Sequence, residues 1–321
     1  GGWDFVNNDG DPKDDHGHGT HVAGIIAANG TLMGVAPGAS LLAYKVLNKD
    51  GWGWDSDILA GIDHAVDPDQ DPATDDHVNV LSMSLGGDGN PDDAGSQAID
   101  TAVGAGVVCV IAAGNSGSTY STILAPGCAR RALTVGASDK GDVMASFSSR
   151  GPNKLDFGVK PDLTAPGVSI TSTFLNGGYQ TLSGTSMATP HVAGAAALLL
   201  QLHPAWTPDD VKGALSEKGK DLGNDAFTQG GGRIQVVPSH LAKAVMTPNS
   251  LNFTMDDVNQ GVWSKTVAVG FKSLDTNSRA YALAVQGSLP AGITWTIDPA
   301  NLVLSPGQTQ TVNLTVSVDN G

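Results

Sequence analysis

Several things are scarce in this chain, and each scarcity removes a class of answer. Only two cysteines, Cys109 and Cys128, occur in 321 residues, so at most one internal disulfide is available. Cys109 stands in an apolar strand-like run, which reads as a buried free thiol rather than half of a bridge. No stretch of about 18 apolar residues exists, so no membrane span is expected. No secretory leader is present, and the chain opens on Gly1-Gly2-Trp3 without a methionine, so its start is expected to be a cut end. Basic residues are outnumbered, leaving a net charge of −15, which argues against nucleic acid or an anionic membrane as a partner. Few lysines and many aspartates suit a secreted protein acting as a monomer. Charged residues make up 15% and hydrophobic ones 40%, with 42 glycines, a composition of a turn-rich globular chain rather than a disordered one. The length accommodates two domains.

Apolar strand-like runs alternate with helical ones. Leu41–Leu47 reads as a strand and Ile58–Val66 as a helix. Val78–Leu85 is again a strand and Ser96–Val103 a helix. Val107–Ala113 and Ala132–Ala137 follow as strands. Nearly continuous apolar strands between helices predict an α/β domain, a mostly parallel sheet with helices on both faces. Two long helices come next, one starting near Ser186 and one at Thr207, where Thr207-Pro208-Asp209-Asp210 supplies an N-cap and a proline at the first helical position. Residues 67–77 form an acidic, proline-bearing insertion, read as a solvated loop with a metal site as the minor alternative. Beyond Met246–Ser250 the pattern changes to alternating Thr, Val and Leu over Ser264–Val269, Ala280–Val285 and Gln308–Val318. This predicts a catalytic-type domain over 1–245, a linker over 246–250 and an all-β sandwich over 251–321. At roughly 70 residues the sandwich falls short of the ~100 typical of such domains and is expected to be partial.

The most telling segment is GTSMATPHVAG, residues 184–194. Ser186 sits between small residues ahead of an apolar helical run, at the start of a helix where free N–H groups and the dipole favour negative charge. A serine attacking a carbonyl needs those conditions, because an oxyanion forms beside it. A helix N-cap is the plainer reading of such a serine, so its partners decide. GHGTHVAG, residues 17–24, brings His18 and His21 on glycines that run into another apolar helix. AAGNSG, residues 112–117, places Asn115 just past a buried strand, where ligands gather in such sheets. A base, an amide donor and a hydroxyl nucleophile together are the parts of acyl transfer. His16, His18 and His21 also invite a zinc reading, but no glutamate stands beside them as it does in H-E-x-x-H.

These three motifs, in this order, resemble the subtilisin-like serine peptidases, the subtilases, over about residues 1–245. The resemblance implies a subtilisin-like doubly wound sheet and hydrolysis of protein or peptide substrates through an acyl-enzyme, with no organic cofactor. It implies His18 as general base, Ser186 as nucleophile, and the Asn115 side chain with the Ser186 backbone N–H as oxyanion donors. Gly51, Trp52 and Gly53, and Ser84, Leu85 and Gly86, match the two segments that pair with an extended substrate. Such strand addition gives affinity through backbone hydrogen bonds. Ala112, Ala113 and Gly114 match the lining of the primary specificity pocket. Trp52 stands where many relatives carry a small residue; with Trp54 it also reads as loop packing. His21 and His191 read as structural.

The resemblance also exposes a gap. The family's triad has an aspartate on the first strand, some tens of residues before the histidine, yet only 17 residues precede His18. Asp14 and Asp15 are too near in sequence to orient it from a separate strand. The first, inner strand is therefore expected to be missing, the polypeptide alone to be inactive, and the aspartate to lie upstream. Trp3–Lys13 resembles the calcium loop of thermitase-like relatives. That implies a structural calcium ion on Asp4, Asp9 and Asp11, with the Lys13 carbonyl as a further ligand, while Asn7 departs from the acidic residue of that pattern. The alternating β-region resembles fibronectin type III-like extensions. Asn29, Asn252 and Asn313 open N-x-T sequons, meaningful only in a eukaryotic host. Two other functional classes stand beside the peptidase. An α/β-hydrolase esterase would place its histidine after the serine, and a non-catalytic subtilase-derived scaffold would need no complete triad.

Overall fold

The structure, a computed structural model, describes every residue except Pro72, Asp75 and Ser288, so the acidic loop expected over 67–77 lies partly outside the described residues. Strands and helices alternate in the first part of the chain: β1 (Gly2–Asp4), α1 (His18–Ala27), β2 (Ala43–Lys45), α2 (Asp55–Val66), β3 (Val80–Met83), α3 (Ala94–Gly104), β4 (Val108–Ala112), β5 (Leu133–Ser138) and β6 (Leu163–Pro166). The order β3-β4-β5-β6 is hydrogen-bonded and parallel throughout. Alternation along β4 explains the two layers of helix. Val108 and Val110 join Val192, Ala196 and Leu199 in one cluster, whereas Cys109 and Ile111 face Ile62, Ile99 and Val103 in another. Both cysteines are buried free thiols, and burial pushes the Cys109 thiol up to about 12.

A hairpin, β7 (Ile170–Phe174) with β8 (Gly178–Leu182), precedes α4 (Thr185–Leu202), α5 (Pro208–Glu217), α6 (Ala226–Gln229) and α7 (Val236–His240). Thr207 caps α5 with a reciprocal Thr207–Asp210 box and Pro208 at the helix start, as its sequence predicts. Helix α1 lies so close to β7 that a Cβ at Gly24 would stand 2.1 Å from Thr173 Oγ1 and 2.4 Å from Ser172 Oγ.

The predicted parallel sheet is present in two pieces. β1 and β2 pair with each other, and among the described residues no ladder joins β2 to β3. Between them opens a cleft of about 1920 Å³, lined by Tyr44, Val46, Ile58, Leu81, Met83 and Leu198 among others. β4 and β5 are buried at every position, but three of the four residues of β3 are only half-buried, because its outer edge faces this cleft. Leu41 and Leu42 are 43% and 48% exposed beside it.

The remaining strands are β9 (Ala244–Thr247), β10 (Val262–Ser273), β11 (Arg279–Ala282), β12 (Ile293–Asp298), β13 (Asn301–Leu304) and β14 (Thr309–Asp319). They form two antiparallel sheets, β12-β14-β10-β9 and β11-β13, around Phe271, Leu302, Leu304 and Val312. The first of these strands begins at Ala244, ahead of the boundary expected at Leu251. A four-residue strand shows no alternation by itself, and the pairing of β9 is set by β10.

Candidate active site

Ser186 is the second residue of α4. The N-cap is Gly184 and no side chain caps the helix, so the plainer reading of Ser186 as an N-cap does not hold. Its Oγ donates to the Ser84 carbonyl at 3.3 Å, and Ser84 Oγ donates to the Ser186 carbonyl at 2.9 Å. This reciprocal pair fixes the segment after β3 against the first turn of α4.

Asn115 is oriented by its acceptor end. Oδ1 takes the Thr185 N–H at 2.9 Å and the Thr185 hydroxyl at 3.1 Å, and Thr185 Oγ1 accepts the Gly114 N–H at 3.3 Å. The amide oxygen is thereby spoken for, and the NH₂ end faces the other way. A Cβ built on Gly184 would lie 3.6 Å from Asn115 Nδ2, 3.6 Å from the Ser186 backbone N and 3.7 Å from Asn115 Oδ1, so the glycine leaves open a spot beside the Asn115 amide and the Ser186 N–H. Two donors converging on a developing charge are what stabilisation of an oxyanion requires. Thr185 was not singled out in the sequence; its signal was its place beside the serine at the first position of the helix.

His18 opens α1, where Gly17 adopts φ 100° and a Cβ there would strike the Phe174 ring at 2.3 Å. It lines the same cleft as Ser186 and Asn115. Burial, then the neighbouring His16 and His21, hold its pKa below the usual imidazole value of 6.5, with Asp14 acting weakly in the opposite sense. A neutral ring with a free lone pair is the form a general base needs. Among the described residues no hydrogen bond joins His18 to Ser186 or to a carboxylate. Hydroxyl-to-base bonds are often long in ligand-free sites. Asp14 is committed elsewhere: its oxygens accept the Gly17 and Thr20 N–H groups at 2.7 Å and the Thr20 hydroxyl at 2.6 Å, fastening the start of α1. Asp15 pairs with Lys45 at 2.9 Å.

The other histidines have structural partners. His21 is fully buried, its Nε2 bridging the Ile170 and Gln180 carbonyls at 3.1 and 3.0 Å, and His191 Nδ1 meets the Met187 carbonyl at 2.8 Å. A zinc site sharing His18 and His21 is thus opposed by the hairpin contacts of His21.

Gly51, Trp52, Gly53, Ser84, Leu85, Gly86, Ala112 and Gly114 all line the cleft. Ala113 does not; it packs with Ile123 and Cys128 beneath it. Trp52 and Trp54 are 76% and 78% exposed.

In the Trp3–Lys13 loop the Asp4 and Asp9 carboxylates already have partners. Asp4 Oδ1 accepts the Val6 and Asn7 N–H groups, Oδ2 accepts Asn7 Nδ2, and Lys45 Nζ lies 3.1 Å from Oδ2. Asp9 Oδ1 accepts the Asp11 N–H at 2.9 Å. An ammonium stands beside Asp4, so Asp4, Asp9 and Asp11 would hold a calcium ion only with Lys45 displaced toward Asp15. Among the described residues, Asp67, Asp69 and Asp76 are the one group whose three ligand atoms lie within 4.8 Å of one another.

Comparison with known proteins places the chain in a family. Residues 1–232 match Peptidase_S8, the subtilase family. Serine protease AprX of Bacillus subtilis (strain 168) is 42% identical over 254 residues, covering 69% of this chain and 57% of AprX. Subtilisin DY of Bacillus licheniformis is 44% identical over 241 residues, covering 74% and 82% of the two chains. The crystal structure of a cold adapted subtilisin-like serine proteinase superposes with a TM-score of 0.60 at 36% identity, covering 72% of this chain and 77% of that one. This chain therefore spans little more than half of AprX, and over that span, by sequence, sheet order and the placing of Ser186, Asn115 and His18, it belongs to the subtilase family.

Proposed function

We propose that this chain is the greater part of a secreted serine endopeptidase that cleaves extended polypeptides. Ser186 Oγ attacks the scissile carbonyl while His18 takes its proton and later returns it to the leaving amine. The Asn115 amide and the Ser186 N–H hold the oxyanion. The acyl-enzyme is then hydrolysed by water on the same base. Substrate lies as an added strand along Gly51–Gly53 and Ser84–Gly86, with Ala112 and Gly114 at the mouth of the primary pocket. The single observation that carries this reading is the pinning of Asn115 Oδ1 by Thr185, which fixes the Asn115 amide beside the Ser186 N–H at the space Gly184 leaves open.

The carboxylate that orients His18 is supplied, in this proposal, by a further parallel strand seated between β2 and β3. The open edges on both sides of the cleft support it, because unpaired N–H and C=O groups are costly beside apolar side chains. Without that strand the chain is inactive. In the same reading the β-region is a fibronectin type III-like extension. Calcium binds the Trp3–Lys13 loop only in exchange for the Lys45 ammonium, which already reaches Asp15. Millimolar calcium then raises the melting temperature and EDTA reverses it; an unchanged melting temperature removes calcium from this loop.

The experiment is to produce the chain with its upstream coding sequence and measure peptide hydrolysis and fluorophosphonate labelling, with Ser186→Ala as control. Gain of both, lost in the control, supports the enzyme. An extended chain that neither labels nor hydrolyses supports a second reading, a non-catalytic subtilase-derived scaffold, which the unpartnered His18 favours.

A further inference from the structure

Helix α4 carries Ser186 at its start. Its other end, about 25 Å away at 1.5 Å per residue, holds a second group of side chains that peptide hydrolysis does not use. His203 is the C-cap of α4 and His240 is the last residue of α7. His203 Nε2 lies 2.9 Å from His240 Nδ1 and 3.2 Å from the His240 carbonyl oxygen. The two rings have centroids 5.0 Å apart and are tilted by 38°. Trp206 stacks flat on His203 at 3.9 Å and 4°, which fixes the plane of that ring. Both imidazoles are half-buried and reachable from solvent.

Three atoms able to ligate a metal thus converge on one spot. Two are imidazole nitrogens and one is a helix-terminal carbonyl, the group a helix end leaves unpaired. Two imidazoles with one oxygen suit zinc, copper or nickel rather than calcium or magnesium. We propose that His203 Nε2, His240 Nδ1 and the His240 carbonyl oxygen form a site for one such divalent ion, with water completing the shell. Zinc bonds of about 2.0–2.1 Å in a tetrahedral arrangement place the two nitrogens about 3.3 Å apart, so the pair opens by about 0.4 Å. His203 makes that adjustment by turning within its own plane, which preserves the Trp206 stack. The proton on Nε2 moves to Nδ1 of the same ring, so two neutral imidazoles bind the ion with no net proton release. The ion ties the end of α4 to α7, and stabilisation rises with its free concentration.

The test titrates the full chain with zinc chloride by calorimetry and with copper sulfate by tryptophan fluorescence. One ion per chain is expected, with copper quenching Trp206. His240→Gln, a surface change that keeps a hydrogen-bond acceptor, weakens binding by at least the roughly 10–100-fold that losing an outer-shell partner costs. Trp206→Phe keeps the binding isotherm but removes the quenching. Absence of binding, an isotherm unchanged by His240→Gln, or quenching that survives Trp206→Phe each overturns the site. The second outcome would place the ion on His16 and His18 or on the Asp67, Asp69 and Asp76 group.

Discussion

Asn115 separates two contributions that an alanine scan would merge. Its oxygen holds the Thr185 N–H, a matter of position, and its NH₂ group is the end proposed to meet the oxyanion. Asn115→Ala in the upstream-extended enzyme is expected to lower kcat by about 10²–10³. Asn115→Asp keeps the acceptor for Thr185 and should lose at least as much, because it sets a negative charge where one must form. Equal kcat for wild type and Asn115→Asp, measured on one peptide substrate, would take Asn115 out of the oxyanion site. His18 gives a second residue-scale expectation. Burial disfavours its cation, so its ring stays neutral below the pH where a free imidazole becomes protonated. An NMR titration should place its midpoint below 6.5 in this chain, and supplying the upstream carboxylate should raise it. A midpoint at or above 6.5 in the chain as described would contradict the burial argument.

At the scale of elements, helix starts were the most legible parts of the sequence. Thr207-Pro208 and the glycine-flanked His18 and Ser186 mark helices by local chemistry, which needs no tertiary knowledge. Apolar runs predicted β4 and β5 well because both are covered on both faces. β2 is three residues within Leu41–Leu47, since a strand lasts only as long as its pairing, and β2 is paired over three residues with β1. β9 was invisible as a strand, because only its pairing with β10 defines it. The site was legible as three motifs, while the Ser84–Ser186 exchange and the Thr185 clamp join segments far apart in the chain. The contact of α1 with β7 is similarly non-local, and it makes a sharp test. Gly24→Ala forces a Cβ to within 2.1 Å of Thr173 Oγ1 and is expected to destabilise the domain by roughly 1–3 kcal/mol. A urea midpoint equal to that of wild type would show that β7 yields freely.

At the scale of the whole molecule, the two sheet systems meet through α5. Glu217 accepts the Met246 N–H of β9 at 2.8 Å, and Lys272 of β10 pairs with Asp210 at 2.6 Å. Burial raises the Glu217 carboxyl from 4.5 to about 7, opposed by the Met246 hydrogen bond and by Lys218. The folded chain therefore keeps a proton that the unfolded chain gives up above about pH 4.5. Its contribution is fully present below that pH and is lost as pH rises through about 7, up to about 3 kcal/mol in all. Glu217→Gln should flatten this part of the stability–pH curve and stabilise the protein at pH 8; an unchanged slope between pH 5 and 8 in denaturant titrations would refute it.

The strand β9 has a consequence for how such a protein is assembled by recombination. It follows directly on the last turn of the α/β region, serves as the outer strand of the sandwich sheet, and supplies the backbone N–H that Glu217 needs. A crossover at the visible composition break near Met246 would part β9 from β10, handing each product half of a ladder. The β-region is therefore not a freely exchangeable cassette. To be inherited intact it has to travel with Ala244–Thr247, and its recipient has to offer a helix with a hydrogen-bond acceptor where Glu217 stands.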